Sequence, residues 1–134
     1  MTHKILLVDD DNEFRTVMTL ALESFGYAVI AVADGKAAFD VLRDERPDAI
    51  ISDLHMPLLD GLTFCRQVRS ETGLAEIPFI ILSAYIESDG SNNPPDTLAD
   101  QCFSKQGSIS TLLPQLESLI VAARQRRSER LCES

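Results

Sequence analysis

The chain has 134 residues, 45% of them hydrophobic and 25% charged, which is typical of one globular domain with its own core. Its net charge of −9 argues against direct binding of nucleic acid, because phosphate backbones are bound by Lys and Arg. No apolar stretch approaches the roughly 18 residues of a membrane span, and no secretory signal is seen. Three cysteines, without C-x-x-C spacing, indicate free thiols in a reducing compartment, so we expect a cytoplasmic protein.

Four short apolar runs each end at a polar side chain. Residues 5–8 precede Asp9 and Asp10, residues 49–52 precede Asp53, residues 79–82 precede Ser83, and residues 102–104 precede Lys105. Runs this short and apolar are typical of strands that are buried on both faces of a sheet. Residues 27–32, rich in β-branched side chains, predict one further strand after the first.

Helical patterns separate these strands. The first predicted helix carries Phe14, Val17, Met18, Ala21, Leu22 and Phe25 on its apolar face, and Gly26 ends it. Asp34 and Asp60 are suitable N-caps for a second and a third helix. The last helix presents Leu112, Leu113, Leu116, Leu119, Ile120 and Ala123 on one face. It should begin near Ser110, because Pro114 is tolerated only close to a first turn.

This alternation of strands and helices predicts an α/β fold, a doubly wound parallel sheet with helices on both faces. The segment 84–101 breaks the pattern, because it contains Gly90, Pro94 and Pro95 and few apolar residues. We therefore expect the fourth helix to be short or replaced by a loop. Residues 1–123 are predicted to form the domain, and residues 124–134, with four Arg and two Glu, a basic C-terminal helix extension or tail.

The polar groups at the strand ends predict a single site. In an open parallel sheet, groups just beyond the carboxyl ends of the strands gather in one crevice. Asp10, Asp53 and a backbone carbonyl could hold Mg²⁺, which prefers oxygen ligands. Asp53 could then attack phosphorus, while Ser83 and Lys105 interact with the phosphoryl oxygens. Each residue alone could be a helix cap or a surface group, but all four together at strand ends favour a site.

In these residues the sequence resembles response-regulator receiver domains, over about residues 3–123. The matching motifs are residues 4–11 (KILLVDDD), 53–57 (DLHMP) followed by Asp60-Gly61, 81–84 (ILSA) and 103–105 (FSK). The resemblance implies a flavodoxin-like sheet of five strands in the order 2-1-3-4-5. It also implies a signalling phosphoacceptor of a two-component phosphorelay, which is not an enzyme beyond catalysing its own Mg²⁺-dependent phosphorylation and dephosphorylation.

The same resemblance assigns roles to individual residues. Asp53 would accept phosphate from a histidine kinase or phosphotransfer protein. Asp9, Asp10 and Asp53 would hold Mg²⁺ with the carbonyl of His55 as a further ligand. Ser83 would be the switch hydroxyl and Lys105 the phosphate-binding ammonium. The signal would pass to a second copy of the domain in a homodimer or to a downstream output protein, with no direct contact to nucleic acid or membrane.

Three features depart from the usual family pattern. Cys102 stands where an aromatic switch residue is common, Gln106 replaces a Pro after the Lys, and the fourth-helix segment is unusual. All three lie on the usual output side, so we expect phosphorylation to be retained and signal transmission to differ. The imidazole of His55 could position the water that hydrolyses an acyl phosphate. The simpler interpretation is an exposed loop His that contributes only its carbonyl.

Other classes of protein fit the sequence less well. A flavin electron-transfer protein shares the architecture but needs a Ser/Thr/Gly-rich loop after the first strand, where the acidic residues 9–11 would repel a phosphate. A phosphatase with an Asp nucleophile would normally have a second Asp soon after Asp53. A pseudo-receiver that only binds partners would lack the phosphoacceptor or the acidic pair, and both are present.

Overall fold

The computed structural model describes residues 3–54, 61–71, 74, 76–83, 101–104 and 109–133. Within these residues the elements are β1 (Lys4–Val8), α1 (Asn12–Ser24), β2 (Ala28–Val32), α2 (Gly35–Asp44), β3 (Ala49–Asp53), α3 (Gly61–Ser70), β4 (Phe79–Ser83), β5 (Gln101–Ser104) and α4 (Ile109–Glu133). The segment 84–101, predicted to be a loop or a short helix, lies outside the described part of the chain except for Gln101, which begins β5.

The five strands form one parallel sheet in the order β2-β1-β3-β4-β5, which confirms the expected strand order. In the register of the sheet, Val8 pairs with Ser52, and Ser83 pairs with Ser104. The strands therefore end at one common edge. Every residue that follows a strand emerges at this edge, so the register decides which polar side chains can meet.

Among the described residues, the core consists of two clusters, one on each face of the sheet. Alternate residues of a strand point to opposite faces, and neighbouring positions on β1 accordingly belong to different clusters. On one face, strand residues pack with α2 and α3 through Ala38, Leu42, Phe64, Cys65 and Val68. On the other face, they pack with α1 and α4 through Met18, Leu22, Leu112, Leu116 and Ile120. The sheet is thus covered on both sides, as the near-continuous apolar strands predicted.

Helix α1 differs from its predicted apolar face at two positions. Met18 and Leu22 are buried, but Val17 is 65% exposed and Phe25 is 58% exposed. Val17 lies next to Met18 on the helix, about 100° away from the buried face. Phe25 follows the last helical residue and lies in the turn that Gly26 completes with a φ of 94°. Simple periodicity therefore overestimated the buried face of this helix.

Helix α4 begins at Ile109, close to the predicted start, and contains Pro114 inside its span. It continues without a break through Arg124 to Glu133. None of the helices in the described ranges is long and apolar enough to cross a bilayer.

Candidate functional site

Three carboxylates meet at the carboxyl edge of the sheet. Asp9 and Asp10 follow β1, and Asp53 is the last residue of β3. One oxygen from each of the three side chains lies within 4.8 Å of the other two. Asp9 is 1% exposed and Asp53 is 6% exposed, whereas Asp10 is exposed. The structure thus brings together the three acidic residues that the sequence placed at strand ends.

The loop that carries Asp9 and Asp10 is held by several hydrogen bonds. The backbone N–H of Asp9 donates to the carbonyl of Val32 at 3.1 Å, which extends the pairing of β1 with β2. The Asp9 carboxylate accepts from the N–H of Asp11 at 2.9 Å. The Asp11 carboxylate in turn accepts from Glu13 and Phe14 and so caps α1. The three consecutive acids therefore have different roles: Asp11 caps the helix, whereas Asp9 and Asp10 belong to the cluster of three carboxylates.

Asp53 is approached closely by the start of α3. The N–H of Gly61 donates to the carbonyl of Leu54 at 2.8 Å. A Cβ added at Gly61 would overlap the carbonyl oxygen of Asp53 and lie 3.0 Å from the Cα of Leu54. The hydroxyl of Ser52 also donates to the Asp53 carbonyl at 3.0 Å. The absence of a side chain at Gly61 is therefore what lets α3 begin against the residue that carries the buried carboxylate.

The other predicted site residues are placed only in part. Ser83 is the last residue of β4, and β4 lies beside β3 with Leu82 paired to Asp53. The backbone of Ser83 thus reaches the same edge as the three carboxylates. Lys105 directly follows β5, and His55 follows Leu54, but both lie outside the described residues. Their predicted roles stay predictions.

One contributor to this site was missed by the sequence analysis, and another was assigned no role there. Arg15 donates from Nη1 to the backbone carbonyl of Asp9 at 2.8 Å. Gly61 contributes by having no side chain, as described above. A helix-start Arg is a common pattern, so Arg15 did not stand out in the sequence. Gly61 belongs to one of the matching motifs, but its close approach to Asp53 leaves no sequence pattern.

The cluster consists of hard oxygen donors, since its members in the described part of the chain are all Asp. Three carboxylates this close repel one another, and two of them are buried where water screens charge poorly. A divalent cation would offset this repulsion. Mg²⁺ takes oxygen ligands and usually one or two carboxylates with several waters, so the donor set fits Mg²⁺.

A doubly wound parallel sheet in this order is the flavodoxin-like architecture, and this chain adds three acidic side chains at its carboxyl edge. The chain belongs to the response regulator receiver domain family, whose model matches residues 5–117. The resemblance seen in the sequence motifs is therefore confirmed, and the chain is a receiver domain of two-component signalling. This assignment also removes the flavin-protein and phosphatase alternatives.

Known relatives support the assignment from both sequence and structure. Response regulator MprA of Mycolicibacterium vanbaalenii is 37% identical over 120 residues, which cover 90% of this chain and 51% of MprA. The chain thus spans about half the length of the curated relatives it matches.

Two solved structures show the same fold. One is the receiver domain of the sensor histidine kinase PA1611 of Pseudomonas aeruginosa, which has a magnesium ion coordinated in its active-site cleft. It is 31% identical to this chain with a TM-score of 0.80, and the match covers 90% of this chain and 98% of the PA1611 chain. The other is the chemotaxis response regulator CheY4 of Vibrio cholerae, which is 28% identical with a TM-score of 0.77. This match covers 89% of this chain and 99% of the CheY4 chain.

Proposed function

We propose that this receiver accepts a phosphoryl group on Asp53 from a histidine kinase or a phosphotransfer protein, in a Mg²⁺-dependent reaction. The observation that carries the proposal is the convergence of Asp53 with Asp9 and Asp10, with one oxygen of each within 4.8 Å of the others. A lone strand-end Asp could serve as a cap, but three converging carboxylates leave a cation-binding and phosphoryl-accepting site as the best account of the geometry.

Asp9, Asp10 and Asp53 would hold the metal, with the carbonyl of His55 as a further ligand. Bound Mg²⁺ would neutralise charge on the carboxylates and on the incoming phosphoryl oxygens. The magnesium ion in the PA1611 receiver, a relative of the same fold, supports this choice of metal.

In the proposed reaction, a carboxylate oxygen of Asp53 attacks the phosphorus of a phosphohistidine. The new O–P bond forms as the P–N bond breaks, and the imidazole leaves with the bonding electron pair. Asp53 is then an acyl phosphate, which water hydrolyses to restore the carboxylate and release phosphate. Lys105 would neutralise the phosphoryl oxygens and Ser83 would donate its hydroxyl to one of them. The domain would in this way promote both its own phosphorylation and its own dephosphorylation.

We further propose that residues 1–123 form the phosphoaccepting unit and that residues 124–134 form a basic extension. The continuation of α4 through Arg124 supports a helical extension. The phosphorylated domain would signal to a second copy of itself or to a downstream output protein. We place this relay in the cytoplasm, the compartment that suits its thiols, of which Cys65 is buried in the core.

Intact-mass spectrometry tests the assignment of Asp53. The chain is incubated with acetyl phosphate or phosphoramidate in the presence of Mg²⁺, and we expect an adduct of about 80 Da, the mass of one phosphoryl group. The adduct should be lost in Asp53→Asn and when EDTA removes the metal. Asp40→Asn, at an exposed position paired with Arg43 on α2, is the matched control and should keep it. An adduct that persists in Asp53→Asn, or the lack of any adduct on the unaltered chain, would refute the proposal.

A further inference from the structure

Arg15, near the start of α1, reaches back to the loop that carries two acids of the site. Its Nη1 donates to the backbone carbonyl of Asp9 at 2.8 Å, and its Nη2 donates to the side-chain oxygen of Asn12 at 2.8 Å. Its own backbone N–H donates to the carbonyl of Asp11 at 2.9 Å, so the helix fixes where the side chain starts. The guanidinium therefore bridges the last residue before Asp10 and the first residue of α1.

The contact with Asp9 is made to the carbonyl of the peptide bond that joins Asp9 to Asp10. Holding this carbonyl fixes the plane of that peptide, and with it the direction in which the chain enters Asp10. Asp9 itself is buried and anchored through its N–H and its carboxylate. Asp10 is exposed, so its position depends more strongly on the backbone that carries it.

We propose that Arg15 is a positioning residue for metal binding: it anchors the Asp9–Asp10 peptide so that the Asp10 carboxylate stays directed at the other two. This inference rests on the Mg²⁺ site of the proposed function. Arg15 would touch neither the metal nor the phosphoryl group. Its planar fork suits the task, because guanidinium can hold two acceptors in a fixed geometry and a Lys ammonium cannot.

The charge of Arg15 alone predicts the opposite effect on Mg²⁺ binding. A positive charge near three carboxylates disfavours a bound cation. If charge dominated, removing the guanidinium would strengthen Mg²⁺ binding. If positioning dominates, removing it weakens Mg²⁺ binding, and a Lys, which keeps the charge but not the fork, also weakens it.

Isothermal titration of the full chain with Mg²⁺ separates these cases. We expect the Kd to rise about tenfold in both Arg15→Met and Arg15→Lys, at the lower end of what the loss of groups that orient metal ligands usually costs. Arg43→Met, which removes an exposed Arg from an ion pair on α2, is the matched control and should leave the Kd unchanged. Equal affinity in the unaltered chain and both Arg15 variants would overturn the inference, as would tighter binding by Arg15→Met with no change in Arg15→Lys.

A second measurement distinguishes positioning from general damage to the fold. If Arg15 acts through the metal ligands, the rate of phosphorylation by acetyl phosphate should fall at low Mg²⁺ and recover at saturating Mg²⁺ in Arg15→Lys. A rate that stays low at saturating Mg²⁺ would contradict a role in metal positioning. Arg15→Lys retains the charge and helix propensity, so it keeps the test valid if Arg15→Met does not fold. Failure of the unaltered chain to bind Mg²⁺ would instead refute the proposed metal site itself.

Discussion

The two ends of the sheet differ in the charged groups that they bring together. At the amino end, acids meet donors: the Asp48 carboxylate accepts from the N–H of Lys4 at 2.7 Å, and the Lys4 ammonium lies 3.1 Å from the Glu45 carboxylate. The Nδ1 of His3 lies 3.8 Å from the Asp48 carboxylate and 3.4 Å from Nη1 of Arg124, from which it can accept a hydrogen bond. At the carboxyl end, Asp9, Asp10 and Asp53 bring three like charges together.

The difference separates stability from function. At the amino end, the Lys4 and Glu45 side chains join opposite charges, and Asp48 satisfies a backbone donor. The carboxyl end gathers carboxylates that would be more stable apart, and the fold holds them there. Sites that bind or react often cost stability in this way, and the rest of the structure offsets the cost.

The largest effect is expected at the carboxyl end, from Gly61→Ala. The added Cβ would overlap the Asp53 carbonyl oxygen, so α3 or the end of β3 must shift. We expect a loss of about 1–3 kcal/mol in the free energy of unfolding, typical of overpacking, together with weaker Mg²⁺ binding. Urea denaturation and Mg²⁺ titration measure the two effects.

Gly26→Ala is the matched control for this variant. Gly26 has a φ of 94° but no atom within 4 Å of an added Cβ. It should lose about 1–2 kcal/mol through its left-handed backbone conformation and keep its Mg²⁺ affinity. If Gly61→Ala bound Mg²⁺ as tightly as Gly26→Ala does, the close approach of α3 would not matter for the site.

A smaller effect is expected at the amino end, from Asp48→Ala. This change removes the acceptor of the Lys4 N–H, and we expect the free energy of unfolding to fall by about 1 kcal/mol with no change in Mg²⁺ affinity. Glu45→Gln removes only the exposed contact with the Lys4 side chain and should cost at most about 0.5 kcal/mol. An Asp48→Ala variant as stable as the unaltered chain in urea denaturation would show that the backbone contact contributes nothing.

The smallest effect on stability is expected from Tyr27, near the amino end of the sheet, at alkaline pH. Burial, with a further contribution from Glu117, raises the pKa of Tyr27 above its ordinary 10.0. A group whose pKa is raised by folding contributes stability that is present below its unfolded pKa and is lost as the pH rises through the folded pKa. Stability should therefore fall more steeply above about pH 10 in the unaltered chain than in Tyr27→Phe. Parallel curves in denaturation series from pH 9 to 11 would contradict this.

The sequence predicted the convergence of the acids because parallel strands end at one edge, whereas the strand order was implied only by the family resemblance. Asp9, Asp10 and Asp53 could be placed from the apolar runs before them, without knowledge of any contact. Arg15 could not be placed, because its partner is a backbone carbonyl that leaves no pattern in the sequence. Val17 was assigned to the buried face of α1 and is exposed, because periodicity alone does not show how much of a helix the sheet covers.

The central claim is that repulsion among the three carboxylates at the carboxyl end of the sheet lowers the free energy of unfolding, and that bound Mg²⁺ offsets this loss. Thermal unfolding with and without Mg²⁺, compared between the unaltered chain and Asp10→Asn, tests it most directly. At about a hundred times its Kd, Mg²⁺ should stabilise the unaltered chain by about 2.7 kcal/mol. Asp10→Asn should unfold at a higher temperature than the unaltered chain without metal and should gain little from Mg²⁺, while the control Asp40→Asn keeps the full gain. The account would be contradicted if Mg²⁺ did not change the unfolding temperature of the unaltered chain. It would also be contradicted if Mg²⁺ raised the unfolding temperature of Asp10→Asn as much as that of the control.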